Sequence, residues 1–367
     1  MTAGTISETA VGMPRRERPT MNDRHHRRDR RVRVLIVDDS PTMRKLIRAG
    51  LAPHPQIEVI GEAGNAREAR DAVKALQPDV MTLDVEMPGM SGIEFLERLM
   101  RGHPMPVIMF STLTGAGTDA SIKALSLGAV DCLEKPRFGA AVETFAHLTE
   151  MLLVAADAQV RRPPRAPVAA PAATASGWRW NGRWVLIGSS TGGVEALETV
   201  LRNFPADGPP TLITQHMPAQ FLRSFAARLN ATVAPTVRIA ADGDRPAPGC
   251  ILIAPGDDTH LRIAPDGVTI QVAPGPKRSG HRPSVDEMFG SAVPLARKTI
   301  AAILTGMGRD GAAEMLNLRR AGAVCIGQDA ASCVVYGMPR VAYDLGAVAE
   351  QVPLERIGAR LLELAAR

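Results

Sequence analysis

The sequence predicts two α/β domains: first a five-stranded, doubly wound parallel sheet, then a second sheet that is mostly parallel. Three observations carry this. At 367 residues, the chain suits two domains of the usual size of roughly 100–200 residues. Short apolar runs alternate with amphipathic stretches in both halves, the pattern of repeated strand–helix units. Between the halves lies a stretch of proline, alanine and arginine with few large apolar residues. Hydrophobic residues make up 45% and charged residues 22%, an ordinary globular balance that can fill two cores.

Residues 1–31 read as a disordered basic extension, and the first domain as 32–154. It opens on the β-branched run Val32-Arg33-Val34-Leu35-Ile36-Val37, then Asp38-Asp39-Ser40-Pro41 and a helical pattern from Thr42 to near Ala52. Apolar runs at 57–61, 79–83, 106–110 and 129–133 alternate with amphipathic stretches near 66–76, 91–101, 118–127 and 139–154. Short apolar runs bounded by turn residues suit strands buried on both faces. Residues 155–181 cannot bury enough surface to order themselves and read as a linker; about 25 residues of flexible coil reach roughly 25–30 Å. The second domain, 182–367, starts at Trp184-Val185-Leu186-Ile187. Further strand-like runs fall at 211–214, 251–254, 268–272, 300–304 and 323–326, with helical patterns near 193–203, 218–229, 285–297, 311–321 and 353–366.

The net charge of +5 is unevenly placed. Nine arginines against Glu8, Glu17, Asp23 and Asp29 give residues 1–33 a net of +5, and five arginines against Asp157 give residues 155–183 a net of +4, leaving −4 elsewhere. Basic charge confined to such segments, and not to a folded face, argues against nucleic-acid binding. No stretch approaches the roughly 20 apolar residues of a membrane span, and the Arg-rich N-terminus lacks an apolar signal core. A soluble chain with no direct membrane insertion is expected. Cys132, Cys250, Cys325 and Cys333 are far apart, with no Cys-x-x-Cys pair, and read as buried thiols in a reducing compartment.

Ligands of a doubly wound sheet collect beyond the carboxyl ends of its strands. Asp38 and Asp39 end the first strand, Asp84 the third, Ser111 the fourth and Lys135 the fifth. Three converging carboxylates repel one another and call for a hard cation such as Mg²⁺. A carboxylate beside that cation and an ammonium can accept a phosphoryl group. The runs Val37-Asp38-Asp39-Ser40, Asp84-Val85-Glu86-Met87-Pro88-Gly89-Met90-Ser91-Gly92, Ser111-Thr112 and Glu134-Lys135-Pro136 resemble those of bacterial response-regulator receiver domains, which have a flavodoxin-like fold. The resemblance implies that Asp84 is the phosphoacceptor, Ser111 the switch hydroxyl and Lys135 the phosphate-sensing cation. It also implies Mg²⁺ held by Asp39, Asp84 and the Glu86 backbone carbonyl, with Asp38 acting through water.

In the second domain, Ile187-Gly188-Ser189-Ser190-Thr191-Gly192-Gly193 follows a strand and opens a helix. Gly188, Ser190 and Gly192 satisfy Gly-x-Ser-x-Gly, a tight turn that projects a hydroxyl above a sheet. Such a turn can also hold phosphate or cap a helix, but this one carries neither Gly-Lys-Ser/Thr nor Gly-x-Gly-x-x-Gly. A serine nucleophile needs a base and the base an orienting acid. His216, His260 and His281 are the histidines of this domain. His216 ends a strand-like run, whereas His260 and His281 are expected in loops. Asp310 follows another apolar strand. Ser190, His216 and Asp310 therefore form a candidate triad, in an order unlike that of α/β-hydrolases.

This half is similar to the catalytic domain of the chemotaxis protein-glutamate methylesterase family. The similarity rests on the serine turn, Gln215-His216-Met217-Pro218, Ile253-Ala254-Pro255-Gly256, His281-Arg282-Pro283-Ser284-Val285-Asp286, Leu304-Thr305-Gly306-Met307-Gly308-Arg309-Asp310-Gly311, and Gln328-Asp329 through Ser332-Cys333 to Gly337-Met338-Pro339. It implies a phosphorylation-activated cytoplasmic bacterial hydrolase that demethylates glutamate esters and deamidates glutamines on methyl-accepting receptors. A chemotaxis histidine kinase would donate the phosphoryl group, and the esterase chemistry would need no cofactor. Backbone N–H groups of Thr191 and Met307 are the expected oxyanion donors. Ser189 stands where the family commonly has alanine, so two adjacent hydroxyls compete for the nucleophile's role, with spacing favouring Ser190.

Overall fold

The first half is an α/β layer in which each strand end delivers a polar residue to one rim. The computed structural model describes residues 30–111, 115–136, 141–160 and 178–367. The expected extension up to residue 29, Thr112, and positions 161–177 of the expected linker lie outside them.

Strands β1 (Val32–Val37), β2 (Ile57–Ala63), β3 (Val80–Asp84), β4 (Val107–Ser111) and β5 (Asp131–Glu134) form a parallel sheet in the order β2-β1-β3-β4-β5. Helices α1 (Pro41–Leu51), α2 (Ala66–Leu76), α3 (Gly92–Gly102), α4 (Gly115–Ser126) and α5 (Ala141–Ala155) alternate with them. Local sequence explains the helix starts. Ser40 accepts from Met43 N with Pro41 in the first turn, and Ser91 and Glu94 form a reciprocal capping box, satisfying amide groups that have no partner within the helix. Every residue of β3 and β4 is buried, as continuous apolar runs require in a sheet covered on both faces.

The second half holds a seven-stranded parallel sheet, ordered β14-β13-β12-β6-β7-β9-β8. Its strands are β6 (Trp184–Ser189), β7 (Thr211–Gln215), β8 (Thr236–Ile239), β9 (Cys250–Ile253), β12 (Thr299–Ile303), β13 (Val324–Gln328) and β14 (Glu350–Val352). Helices α6 (Gly193–Leu201), α7 (Ala219–Thr232), α8 (Val285–Ser291), α9 (Ala312–Arg320), α10 (Met338–Asp344) and α11 (Leu354–Ala365) complete it. The 268–272 run is not in this sheet. It lies in β11 (Ile270–Pro274), which pairs antiparallel with β10 (Thr259–Ile263) as a separate hairpin. The apolar pattern also misses β8, β10, β14 and α10. The first two strands carry arginine or histidine between their apolar residues, and β14 spans three residues at the sheet edge.

Contacts tie Val32–Arg367 into one unit. Helix α4 packs on α6 and α7, and Ile122 and Leu125 share an apolar cluster with Leu197, Phe221 and Phe225. At the near side of the expected linker, Gln159 N donates to Val334 O (3.1 Å). At its far side, Asn181 Nδ2 donates to Leu364 O and Ala366 O (2.9 and 3.0 Å).

Candidate functional site

At the carboxyl rim of the first sheet, ligand oxygens of Asp38, Asp39 and Asp84 lie within 4.8 Å of one another. Lys135 Nζ reaches Asp38 Oδ2 and Asp84 Oδ2, each at 2.8 Å. Burial drives the Asp84 pKa up to about 6 against the lowering pull of Lys135, and neighbouring Asp38 pushes the same way as burial. Burial opposes the charge on Lys135, but hydrogen bonds to the two carboxylates outweigh it and raise its pKa. One ammonium against three carboxylates leaves excess negative charge, which a hard divalent cation would neutralise. Glu86 N donates to Asp84 Oδ1 (3.3 Å), so the Asp84–Glu86 turn folds around the same carboxylate. Ser111 is buried at the end of β4, in register with Glu134 beside Lys135.

The second rim is built from neighbouring strands. Ser189 and Gln215 are register partners on β6 and β7, so Ser190 and His216 leave the sheet side by side. His216 N donates to Ser189 O (3.0 Å), and Ser190 N to Thr305 O (3.0 Å). Two glycines permit the crowding. Gly192 has φ +76°, and a Cβ on Gly306 would lie 2.7 Å from Ser190 Cβ, so only glycine lets the 305–308 loop pass this close to the serine.

His216 Nε2 donates to Asp310 Oδ2 at 2.7 Å. Nδ1, on the opposite side of the ring, is buried without a partner among the described residues. Asp310, fully buried, also accepts from Ser284 Oγ (2.8 Å), Val285 N (2.6 Å) and Asp286 N (3.1 Å). Burial alone would raise its pKa, but His216 and these donors bring it down to about 2. It is not the cap of α9, whose N-cap is Gly311. Histidine and acid are thus joined, and the serine stands beside them with no hydrogen bond between Ser190 Oγ and the ring among the described residues; such bonds often tighten only when substrate binds. The N–H groups of Thr191 and Met307 donate to no acceptor among the described residues.

His260 is not in a loop, as the sequence reading placed it, but in β10, fully buried. Its Nε2 donates to Pro276 O (2.9 Å) and its Nδ1 accepts from Ser284 N (3.2 Å), so both nitrogens are committed to packing the fold. Ser189 is fully buried and donates to Gln215 Oε1 (2.6 Å). Gln215 Nε2 in turn donates to Ser190 O and His216 O (2.9 and 3.1 Å), fastening the two turns together. Sequence reasoning passed over Gln215 as a site residue; its only signal was adjacency to His216.

Sequence reasoning also missed what covers this rim. Thr191 Oγ1 donates to Asp131 Oδ2 (2.6 Å) and Gly192 N to Val130 O (3.2 Å). Ser126 Oγ donates to Glu198 Oε1 (2.9 Å), which also pairs with Arg228 Nε (2.6 Å). Leu125, Ala129 and Asp131 of the first half line one crevice with Ser190, Gln215 and Met217 of the second.

An acid-and-lysine rim on a five-stranded sheet, followed by a second α/β sheet with a serine turn, defines a response regulator with an enzymatic output domain. Residues 34–144 match the response regulator receiver domain family and residues 185–361 the CheB methylesterase family. The chain is 53% identical over 340 residues to the protein-glutamate methylesterase/protein-glutamine glutaminase of Agrobacterium fabrum, covering 91% of this chain and 96% of that protein. It is 52% identical over 340 residues to the protein of the same name from Rhizobium etli, covering 91% and 97% respectively. With protein-glutamate methylesterase/protein-glutamine glutaminase 1 of Caulobacter vibrioides it shares 51% over 339 residues, covering 91% and 98%. The chain belongs to the CheB methylesterase family.

Proposed function

We propose that Ser190 is the nucleophile, His216 the base and Asp310 the orienting acid of a phosphorylation-activated hydrolase acting on methylated glutamates of chemoreceptors. The observation that carries this is the His216–Asp310 bond, which leaves Nδ1 as the one unpaired nitrogen of a buried ring beside the serine turn. Ser190 Oγ attacks the ester carbonyl and its proton passes to His216 Nδ1. The tetrahedral oxyanion rests on the N–H groups of Thr191 and Met307, which have no other acceptor among the described residues. His216 returns the proton to departing methanol, and water then hydrolyses the acyl-enzyme, regenerating Ser190 and leaving a glutamate. Glutamine deamidation follows the same course, with ammonia leaving.

Regulation enters at the other rim. Asp84 accepts the phosphoryl group from a chemotaxis histidine kinase, with Lys135 and Ser111 sensing the phosphate. Asp39, Asp84 and the Glu86 carbonyl would hold Mg²⁺, with Asp38 acting through water; when bound, it neutralises charge on the phosphoryl oxygens. Because residues 125–131 lie over the serine turn, the unphosphorylated receiver restricts access, and phosphorylation favours a released arrangement. A tenfold activation needs only about 1.4 kcal/mol of differential stability.

The test is methanol release from methylated receptor membranes, with and without acetyl phosphate and Mg²⁺. Release that acetyl phosphate stimulates, and that Asp84→Asn renders insensitive to it, supports the reading. No release under either condition defeats it.

A further inference from the structure

His216 has a second neighbour that the proposed chemistry does not use. The imidazole of His281 lies face to face on it, with ring centroids 3.7 Å apart and planes 5° from parallel. The segment that carries His281 is braced at both ends. His281 N and O exchange hydrogen bonds with Arg278 O and N (2.9 and 3.0 Å). Three residues on, Ser284 Oγ donates to Asp310 Oδ1. In between, Arg282 donates to Asp257 O and Gly275 O (2.9 and 2.8 Å). One short stretch therefore supports the face of the base and the edge of its acid together.

We infer that His281 is a positioning residue for the esterase: its neutral ring forms a wall against one face of His216, fixing the plane in which Nδ1 meets Ser190. This deepens the proposed mechanism and rests on the reading of His216 as the base. Asp310 holds the His216 ring at one atom, and a single hydrogen bond leaves it free to tilt about that contact. A parallel ring at 3.7 Å removes the tilt. Misplacement of a base by about 1 Å can cost on the order of 100-fold in rate, so a stacked wall has a large effect to exert.

The charge state of His281 suits the task. Burial lowers its pKa to about 4, with His216, His147 and Lys277 acting in the same direction and Asp310 against them. The ring is therefore uncharged at neutral pH. When His216 takes the serine proton, the new cation meets a neutral aromatic face, which attracts it, and not a second positive charge.

The test uses the full chain, activated with acetyl phosphate and Mg²⁺, and reads kcat and KM for methanol release. His281→Ala is expected to lower kcat by roughly 10- to 100-fold with KM little changed and thermal melting preserved. His281→Phe, which restores a flat neutral ring, is expected to recover most of the lost kcat. A folded His281→Ala variant within threefold of wild type, or a His281→Phe variant no better than alanine, overturns the inference. Should the alanine variant fail to fold, the phenylalanine variant alone decides: near-wild-type kcat supports the wall and a 10-fold or greater loss ends it. His216→Ala serves as the separate control. If that variant keeps its activity, the base assignment has failed whatever His281 does.

Discussion

Thr191 Oγ1 donates a hydrogen bond to Asp131 Oδ2 at 2.6 Å, joining the serine turn to the fifth strand of the receiver. The residue after the proposed nucleophile is thus held by the regulatory half. Burial raises the pKa of Asp131, outweighing the hydrogen bonds from Thr191 and Cys132 N that lower it.

Asp131→Ala should raise activity before phosphorylation. The substitution strips the covered arrangement of a half-buried hydrogen-bonded pair worth about 1–3 kcal/mol and leaves the released arrangement untouched. Methanol release without phosphodonor should increase roughly tenfold, and the stimulation by acetyl phosphate should shrink. A variant with lower basal activity and full stimulation would count against the clasp.

Ser190→Ala should reduce kcat by about 10⁴–10⁶-fold, as in other enzymes that lose a hydroxyl nucleophile. Ser189→Ala should keep most activity, because that hydroxyl is turned inward to Gln215. Labelling by a serine-directed phosphonate distinguishes the two: it should vanish only in the Ser190 variant.

Asp310→Asn should lower kcat by about 10⁴-fold, the scale seen when an orienting acid loses its charge. The same variant tests acid stability. The folded pKa of Asp310, about 2, lies below the unfolded value of about 3.9. Its stabilising contribution is therefore complete above about pH 3.9 and fades as pH falls through 2. Acid unfolding curves for wild type and variant should separate above pH 4 and converge toward pH 2.

Lys135→Met should destabilise the metal-free protein, because it leaves Asp38 and Asp84 buried without their shared ammonium. Losing one member of a buried ion pair costs about 3–5 kcal/mol. Added Mg²⁺ should restore part of the loss in melting temperature while acetyl phosphate stimulation stays absent. A melting temperature that Mg²⁺ does not move would argue against a cation among these carboxylates.

Much of this molecule was legible in the chain because its determinants are local. Buried parallel strands are continuous apolar runs, so β3, β4 and β12 stand out. Asp84, Ser190 and Asp310 each follow such a run, which placed them at a rim before any contact was known. What could not be read depends on meetings between distant segments. Nothing near Thr191 announces Asp131, and nothing near His281 announces a stacked partner 65 positions earlier. Gln215 is the last residue of β7; its function as a staple exists only because β6 runs beside β7.

The apolar seam between α4 and the helices α6 and α7 gives the clasp a thermal character. Parting it would wet oily side chains such as Leu125 and Phe221, and exposure of that kind raises heat capacity. Such a seam grips less tightly in the cold. Under the proposed release, the fraction of molecules that stand open should therefore vary with temperature even at a fixed level of phosphorylation.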